Sequence, residues 1–361
     1  MSQRPLHDDE SLATLLMQLV DTKSVSRRER AIADLIAARL TGLGSGELTR
    51  IRRSVIWRGP QRGRPLVVLA GHVDTVRSQR NAFATRAGDQ VSGLGSSDMK
   101  GGVAVMLALL DSLDPEACRF DLAFVFYDCE EGPSVKNGLK RVMRREPWLR
   151  EARLAVVLEP TDLRVELGCV GSVNLDVRVP GVSAHAARPW TGVNAVRAGA
   201  SWLARVTQVP TRTVMVEGLE FHETIEITRL RAGSARNVLP GEMIVNLNHR
   251  FPPGRTVEEA TAWARSQVPE GFECKVRSCS PPGAVCAGDQ LVKEFIALTG
   301  AEVAGKQGWT DVARFTEAGI PAFNFGPGIP ELCHQAGEYC PVPNLETAYR
   351  WLAEFLTADP K

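Results

Sequence analysis

Three apolar runs of this 361-residue chain end next to side chains of the types that bind metal ions. These side chains are His72 after the run 66–70, Glu131 after the run 122–127 and Glu159 after the run 154–158. Continuous apolar runs of this length are typical of buried parallel strands. The carboxyl ends of such strands meet at the edge where open α/β sheets bind ligands. The sequence therefore predicts a ligand site at that edge.

Two further side chains complete the candidate metal-binding set. Asp98 precedes an apolar helix at 101–113, and His334 lies in a loop rich in glycine and proline. Two histidines and three carboxylates suit a pair of divalent ions such as zinc, which binds imidazole and carboxylate groups. A carboxylate that bridges two ions about 3.5–4 Å apart leaves room for a shared water molecule with a lowered pKa. This combination of residues predicts metal-dependent hydrolysis.

Two neighbouring carboxylates have expected roles beside the metal ligands. Glu130 directly precedes Glu131, and it would take a proton from the attacking water and pass it to the leaving amine. Asp74 follows His72 by two residues. Its carboxylate is expected to accept the second ring N–H of that imidazole, which fixes the tautomer.

Each of these motifs also has a simpler interpretation. A His-x-Asp sequence is common, and a pair of glutamates usually marks a solvated surface or a helix start. Asp98 could merely cap the helix that follows it. The coincidence of all these residues at strand ends in one domain favours the metal site, because randomly placed surface acids would seldom fall there.

The surrounding pattern predicts an α/β domain that is interrupted by a smaller α+β domain. Helices and apolar strands alternate up to about residue 171, which indicates a mainly parallel sheet. Alternating apolar and polar residues then predict strands with one solvated face, interleaved with helices in a βαββαβ order. We expect a catalytic domain formed by residues 1–171 and 283–361, with an inserted domain at 172–282.

Composition excludes several classes of protein. Hydrophobic residues make up 44% of the chain and charged residues 24%, as in folded globular proteins. The formal net charge of +1 provides no basic field for nucleic acid or an anionic membrane. The apolar runs fall short of the roughly 20 residues that a membrane span needs. The acidic start MSQRPLHDDESL lacks a secretion signal, and none of the eight cysteines forms a Cys-x-x-Cys pair. These features predict a cytoplasmic protein with reduced thiols.

Four segments resemble the signature sequences of a known enzyme family. They are Gly-His-Val-Asp-Thr-Val at 71–76, Gly-Ser-Ser-Asp-Met-Lys-Gly-Gly at 95–102, Tyr-Asp-Cys-Glu-Glu-Gly at 127–132 and Leu-Glu-Pro-Thr-Asp at 158–162. Together they resemble the dinuclear zinc aminoacylase and carboxypeptidase family over nearly the whole chain. The segments 184–195 and 308–315 resemble its actinobacterial subgroup that removes succinate from N-succinyl-LL-2,6-diaminopimelate, a step toward lysine.

The resemblance implies a cofactor, a partner and a role for each residue of the set. Two divalent ions are expected, most simply Zn²⁺ with Co²⁺ as the alternative. The implied ligands are His72 and Glu159 for one ion, Glu131 and His334 for the other, and Asp98 as the bridge, with Glu130 as the general base and acid. His185 of the inserted domain would reach the active site of a neighbouring subunit and stabilise the oxyanion. That role implies a homodimer formed through the inserted domain, whereas without the resemblance His185 is a surface histidine.

The resemblance also suggests which residues recognise a small-molecule N-acyl amino acid. The matching positions are Arg250, Asn237, Thr310 and Gly326. Arg250 could instead form a structural salt bridge. The chain has Cys169-Val170-Gly171-Ser172 where better-known proteobacterial relatives have arginines before Gly-Ser, so one carboxylate contact expected there is missing.

Two other functions fit parts of this pattern. An acetylornithine deacetylase or a dipeptidase would use the same metal ions with a different substrate pocket. A catalytically silent family member could serve as a binding or scaffold protein, although such a protein has no need to keep Glu130 and a full ligand set.

Overall fold

The computed structural model describes residues 11–43, 46–132 and 134–358. Most of the acidic start of the chain therefore lies outside the described residues. The chain divides into two compact units. The larger unit comprises the described residues up to Gly168, Cys286–Ala304 and the described residues from Thr310 onward, and the smaller unit comprises Cys169–Val285 and Gly305–Trp309.

The segment Gly305–Trp309 is hydrogen-bonded to the rest of the smaller unit through the side chain of Gln307. Gln307 accepts the backbone N–H of His222 at 2.9 Å and donates to the carbonyl oxygen of Glu220 at 2.8 Å. The other junctions lie close to the predicted limits of 1–171, 172–282 and 283–361.

Nine α-helices lie within the described residues. They are α1 (Leu12–Asp21), α2 (Arg30–Thr41), α3 (Gly101–Ser112), α4 (Gly138–Arg145), α5 (Ala195–Val206), α6 (Val257–Ser266), α7 (Gln290–Thr299), α8 (Val312–Glu317) and α9 (Val342–Thr357). None of them is long and apolar enough to cross a membrane.

Sixteen strands lie within the same part of the chain. They are β1 (Glu47–Ile51), β2 (Ser54–Arg58), β3 (Leu66–His72), β4 (Thr85–Ala87), β5 (Gln90–Ser92), β6 (Asp121–Tyr127), β7 (Leu154–Val157), β8 (Val165–Leu167), β9 (Gly171–Pro180), β10 (Arg212–Val216), β11 (Leu219–Ala232), β12 (Glu242–Phe251), β13 (Glu273–Ser280), β14 (Val303–Gly305), β15 (Ala322–Asn324) and β16 (Tyr339–Pro341).

The larger unit is built on an eight-stranded sheet in the order β1-β2-β6-β3-β7-β15-β8-β14. Its centre is parallel, since β3 pairs in parallel with β6 and β7, and β7 pairs in parallel with β15. Every residue of β3 and β6 is buried, as expected for strands covered on both faces. The predicted α/β fold with a mainly parallel sheet and a smaller α+β unit is confirmed.

Two features of the larger unit were not predicted from the pattern of apolar residues. The β1–β2 hairpin turns through Arg52, whose φ of 59° is unusual for a residue with a Cβ atom. Three-residue strands also form a small separate sheet in the order β16-β5-β4. Strands this short contain no measurable period of apolar residues, and the sequence analysis therefore gave no prediction for them.

The smaller unit is a five-stranded antiparallel sheet in the order β10-β11-β12-β9-β13. Alternate residues of β9 are buried, and they form a core with Trp202 of α5 and Ala260 of α6. α6 begins with a reciprocal capping box between Thr256 and Glu259. The predicted βαββαβ order lacks one strand: β10 adds an edge to the sheet, and its mostly exposed residues gave no apolar alternation.

Candidate active site

The carboxyl ends of three strands meet at one edge of the main sheet. His72 ends β3 opposite Tyr127 at the end of β6, and Ala70 of β3 lies opposite Val157 at the end of β7. Glu130 and Glu131 follow β6, and Glu159 follows β7. This register brings together the side chains that the sequence analysis assigned to separate strand ends.

Asp98 lies between the two histidines. Its Oδ1 is 3.1 Å from Nε2 of His72, and its Oδ2 is 3.3 Å from Nε2 of His334. The turn Ser96–Lys100 that carries Asp98 precedes α3, and its peptide bond between Asp98 and Met99 is cis. One carboxylate thus presents an oxygen atom to each imidazole, which is the arrangement that a bridging ligand requires.

Two groups of three donors share Asp98. The first is His72, Asp98 and Glu159, and the second is Asp98, Glu131 and His334; within each group the donor atoms lie within 4.8 Å of one another. Nε2 of His334 also lies 2.8 Å from Oε1 of Glu131. Imidazole nitrogen and carboxylate oxygen are donors that zinc prefers, so the residues present fit two ions that share one carboxylate. We call these five residues the dinuclear cluster.

Glu130 lies in the same neighbourhood as the dinuclear cluster. A donor oxygen of Glu130 lies within 4.8 Å of donor atoms of His72 and Glu131. Burial raises the pKa of the Glu130 carboxyl well above its ordinary value, and the negative charge of Glu159 raises it further against the opposing effect of His72. A carboxyl group with a raised pKa is suited to take up and return a proton near neutral pH.

Imidazole protons balance the carboxylates of the dinuclear cluster. Hydrogen bonds to Asp98 and Glu131 raise the pKa of His334 to about 10. Burial opposes ionisation of Asp98, but hydrogen bonds from His334 and His72 lower its pKa. A divalent ion would take the place of these protons, so metal binding is expected to release protons.

Asp74 contacts His72 through a different atom from the one predicted. Nδ1 of His72 lies 3.0 Å from the backbone carbonyl oxygen of Asp74, whereas Oδ1 of Asp74 is 3.7 Å away. The Asp74 carboxylate instead accepts the backbone N–H of Glu130 at 2.9 Å and of Glu131 at 3.1 Å. The carbonyl group can therefore fix the imidazole tautomer, and the carboxylate holds the segment that carries Glu130 and Glu131.

Glu338 is a buried residue of this site that the sequence analysis missed. Its carboxylate accepts the backbone N–H groups of Gly95, Ser97 and Asp98 at 2.9–3.0 Å. Burial raises the pKa of Glu338 to about 6, against the effect of these hydrogen bonds. Glu338 therefore anchors the turn that aims Asp98. It lies in a loop without apolar periodicity, and its only sequence signal is its position four residues after His334.

Two predicted substrate contacts lie in the larger unit. Thr310 is buried at the start of the segment that leads into α8. Gly326 approaches the backbone so closely that a Cβ atom would lie 2.4 Å from the carbonyl oxygen of Glu159, and its N–H donates to Oγ1 of Thr161 at 3.0 Å. Gly326 therefore lets two loops pack together behind Glu159.

Three predicted residues lie in the smaller unit. His185 and Asn237 are exposed and share one region, where His185 forms a bridge with Val238. Nε of Arg250 on β12 donates to Asn248 at 2.9 Å, and burial lowers the pKa of this guanidinium. Within the described residues Arg250 has no carboxylate partner, which argues against the structural salt bridge that was its alternative interpretation.

Comparisons with known proteins find a family model and relatives that match most of this chain. The model of the peptidase family M20/M25/M40 matches residues 68–358. A provisionally named succinyl-diaminopimelate desuccinylase of Mycobacterium tuberculosis is 37% identical, over 95% of this chain and 97% of the relative. The succinyl-diaminopimelate desuccinylase of Corynebacterium glutamicum is 35% identical, over 95% of each chain.

Solved structures show the same fold. The crystal structure of an M20-family metallo-carboxypeptidase from Sulfolobus solfataricus superimposes with a TM-score of 0.77 at 14% identity. The match covers 96% of this chain and 99% of that one.

Proposed function

The chain belongs to the peptidase family M20/M25/M40, and on that premise we propose that it hydrolyses N-succinyl-LL-2,6-diaminopimelate to succinate and LL-diaminopimelate. Relatives of 37% and 35% identity that carry the desuccinylase name support this substrate. The observation that carries the reaction type is Asp98, which lies between His72 and His334 with Glu130 beside it. The chain is accordingly a metal-dependent amidohydrolase.

We propose that the dinuclear cluster holds two Zn²⁺ ions, with Co²⁺ as an alternative. His72 and Glu159 would hold one ion, Glu131 and His334 the other, and Asp98 both. Such ions act as Lewis acids on the amide carbonyl and make water a better nucleophile at neutral pH.

The other groups of the site would handle the proton and the orientation. Glu130 would take the proton of the attacking water on its carboxylate and deliver it to the departing amine nitrogen of diaminopimelate. The Asp74 carboxylate keeps this glutamate in place through the backbone N–H groups of 130 and 131. The carbonyl oxygen of Asp74 would hold the Nδ1 proton of His72, so that Nε2 points toward Asp98.

We further propose roles for the predicted residues of the smaller unit. His185 would donate a hydrogen bond to the developing oxyanion in the active site of a partner subunit, which makes the protein a homodimer. Arg250 and Asn237 would bind the substrate's carboxylates. Arg250 is suited to this because it has no carboxylate partner in the described chain. In the larger unit, Thr310 would contact the substrate, with Gly326 close to the backbone of Glu159. Eight thiol-bearing cysteines favour a cytoplasmic location.

A substrate panel tests the proposed substrate. The zinc-loaded protein is expected to hydrolyse N-succinyl-LL-2,6-diaminopimelate with a kcat/KM at least tenfold above those for N-acetylornithine, N-acetyl-diaminopimelate and dipeptides, because one missing polar contact costs about that much. A preference for acetylornithine or for a dipeptide would reassign the substrate and leave the metal chemistry intact. No hydrolysis of any of these compounds by a fully metal-loaded protein would favour the scaffold alternative.

Glu130→Gln separates chemistry from metal binding. Glutamine keeps the shape of the side chain but cannot accept the proton, so kcat is expected to fall by about 10³-fold or more. The zinc content, measured by mass spectrometry, should stay at the wild-type value. A variant that keeps near-normal turnover would overturn the role of Glu130.

A further inference from the structure

A basic cavity of the larger unit lies outside the candidate active site. It is an open concavity of about 840 Å³, and the described residues that line it include nine arginines and lysines but one carboxylate, that of Glu317. The formal net charge of the whole chain is only +1. The positive charge is therefore concentrated at this cavity and does not reflect a generally basic surface.

Three of the nine basic side chains have acidic partners. Arg53 contacts Glu29 at 2.5 Å and Asp128 at 3.5 Å, Arg141 pairs with Asp128, and Arg314 contacts Asp311 at 2.6 Å. The carboxylates of Glu29, Asp128 and Asp311 are fully buried, so these pairs hold three of the lining side chains in place.

The remaining six basic side chains form no ion pair with any residue in the described part of the chain. They are Arg27, Arg52, Lys136, Lys140, Arg144 and Arg150. Like charges gathered around one concave surface repel one another and raise the local concentration of anions. A multivalent anion would offset that repulsion at several points, whereas a monovalent one would neutralise a small part of it.

We propose that this cavity binds a small oligophosphate, either inorganic or as the phosphate chain of a nucleotide. Arginine forks bind phosphate oxygens in pairs, and four of the six unpaired cations are arginines. The volume is in the range of pockets that enclose small ligands. No aromatic side chain is found among the described lining residues, so the recognised feature is the phosphate chain and not a stacked base.

The cavity also touches the segment that leads to the active site. Cys129 lines it, and the next residue along the chain is Glu130. The proposal does not depend on the proposed function, because binding alone is what the experiment measures.

Calorimetric titration of the zinc-loaded protein with sodium tripolyphosphate tests the proposal. The matched variants are Arg144→Glu, which reverses a charge at the cavity, and Arg145→Glu, which reverses the neighbouring exposed charge of the same helix outside it. We expect Arg144→Glu to weaken binding by about tenfold and Arg145→Glu by less than about twofold. A thermal melt of each variant confirms that it is folded.

Further ligands define what is recognised. ATP should bind with an affinity within about threefold of that of tripolyphosphate, whereas adenosine and citrate should bind at least tenfold more weakly. The site would be overturned if both charge reversals weakened binding equally. It would also be overturned if the unmodified protein and both variants gave equal heats, because the titrant would then only be removing zinc. Tighter binding of citrate or of a single-stranded oligonucleotide would overturn the ligand class.

Discussion

Two acidic clusters of the larger unit contain neighbouring residues of the segment 128–131 but differ in the groups that neutralise their carboxylates. The dinuclear cluster contains Glu131, and the second cluster contains Asp128 and Cys129 together with Glu29, Arg53 and Arg141. We call the second one the arginine cluster. Both contain three or more potential metal-binding groups within 4.8 Å of one another.

The arginine cluster carries its own positive charges. Arg53 forms ion pairs with Glu29 and Asp128, Arg141 forms one with Asp128, and the Cys129 thiol donates to Glu29 at 3.3 Å. In the dinuclear cluster, the described ion-pair partners of Asp98 and Glu131 are histidines, which become neutral ligands once they lose a proton. Histidines can give way to a cation in this manner, whereas arginines stay charged and keep a cation out.

From this difference we infer that proximity of carboxylates does not by itself define a metal site. Buried carboxylates require a counter-charge, and the type of counter-charge decides whether a metal ion can bind. On this basis the two clusters should respond in opposite ways to the same kinds of substitution.

The largest expected effect comes from removing one carboxylate charge in each cluster. Asp98→Asn takes away the ligand that both ions would share, so the zinc content is expected to fall from two ions to less than one per chain. The hydrolysis rate is expected to fall by about 10⁴-fold, because both the ions and their activation of water are lost. Metal analysis and steady-state kinetics measure the two quantities.

Asp128→Asn is the matched control in the arginine cluster. It should leave two zinc ions bound and change the rate by less than about tenfold, while the protein becomes less stable because Arg53 and Arg141 lose their shared partner. Loss of zinc from Asp128→Asn but not from Asp98→Asn would reverse the assignment of the clusters.

A smaller effect, on stability alone, is expected from Arg53→Met. This change leaves Glu29 buried without its arginine. Breaking the pair should lower the free energy of unfolding by about 2–3 kcal/mol. This is somewhat less than for a fully buried pair, because the arginine is partly exposed. The exposed neighbour Arg52→Met should cost less than about 0.5 kcal/mol. Urea unfolding of the two variants makes the comparison, and equal stabilities would show that the arginine cluster does not need its cation.

The smallest effect concerns the reactivity of Cys129. Burial, followed by the charges of Glu29 and Asp128, raises the pKa of this thiol to about 11. The reactive thiolate is then about one part in a thousand at pH 8, and alkylation should speed up with rising pH until about pH 11. The exposed Cys279 should react first.

A chelator distinguishes the two clusters through the same thiol. Removal of metal should leave the alkylation rate of Cys129 unchanged, because no ion is expected at the arginine cluster. A marked acceleration of Cys129 labelling after chelation would indicate that a metal ion had protected the thiol.

Much of the sheet could be predicted because its central strands are continuous apolar runs. β3, β6 and β7 are buried on both faces, so burial itself leaves a strong signal in the sequence. The edge strand β10 is mostly exposed, and β4, β5 and β16 have only three residues each, so pairing with other strands sets their positions. The pattern of apolar residues could not reveal them.

The candidate site also has a part that the sequence predicts and a part that it does not. The positions of His72, Glu131 and Glu159 after apolar runs predicted that they lie at one edge of the sheet. The parallel register of the strands brings them together. The backbone contacts of Asp74 and the anchoring role of Glu338 depend on how loops fold against one another. Side-chain type and spacing do not encode such contacts, so these two details had to come from the structure.

Anomalous diffraction at the zinc edge, from crystals of the protein equilibrated with zinc, tests the central claim most directly. The account predicts two peaks about 3.5–4 Å apart, one on each side of the Asp98 carboxylate, with His72 and Glu159 at one and Glu131 and His334 at the other. A peak at the arginine cluster, or none beside Asp98 at full zinc loading, would contradict it.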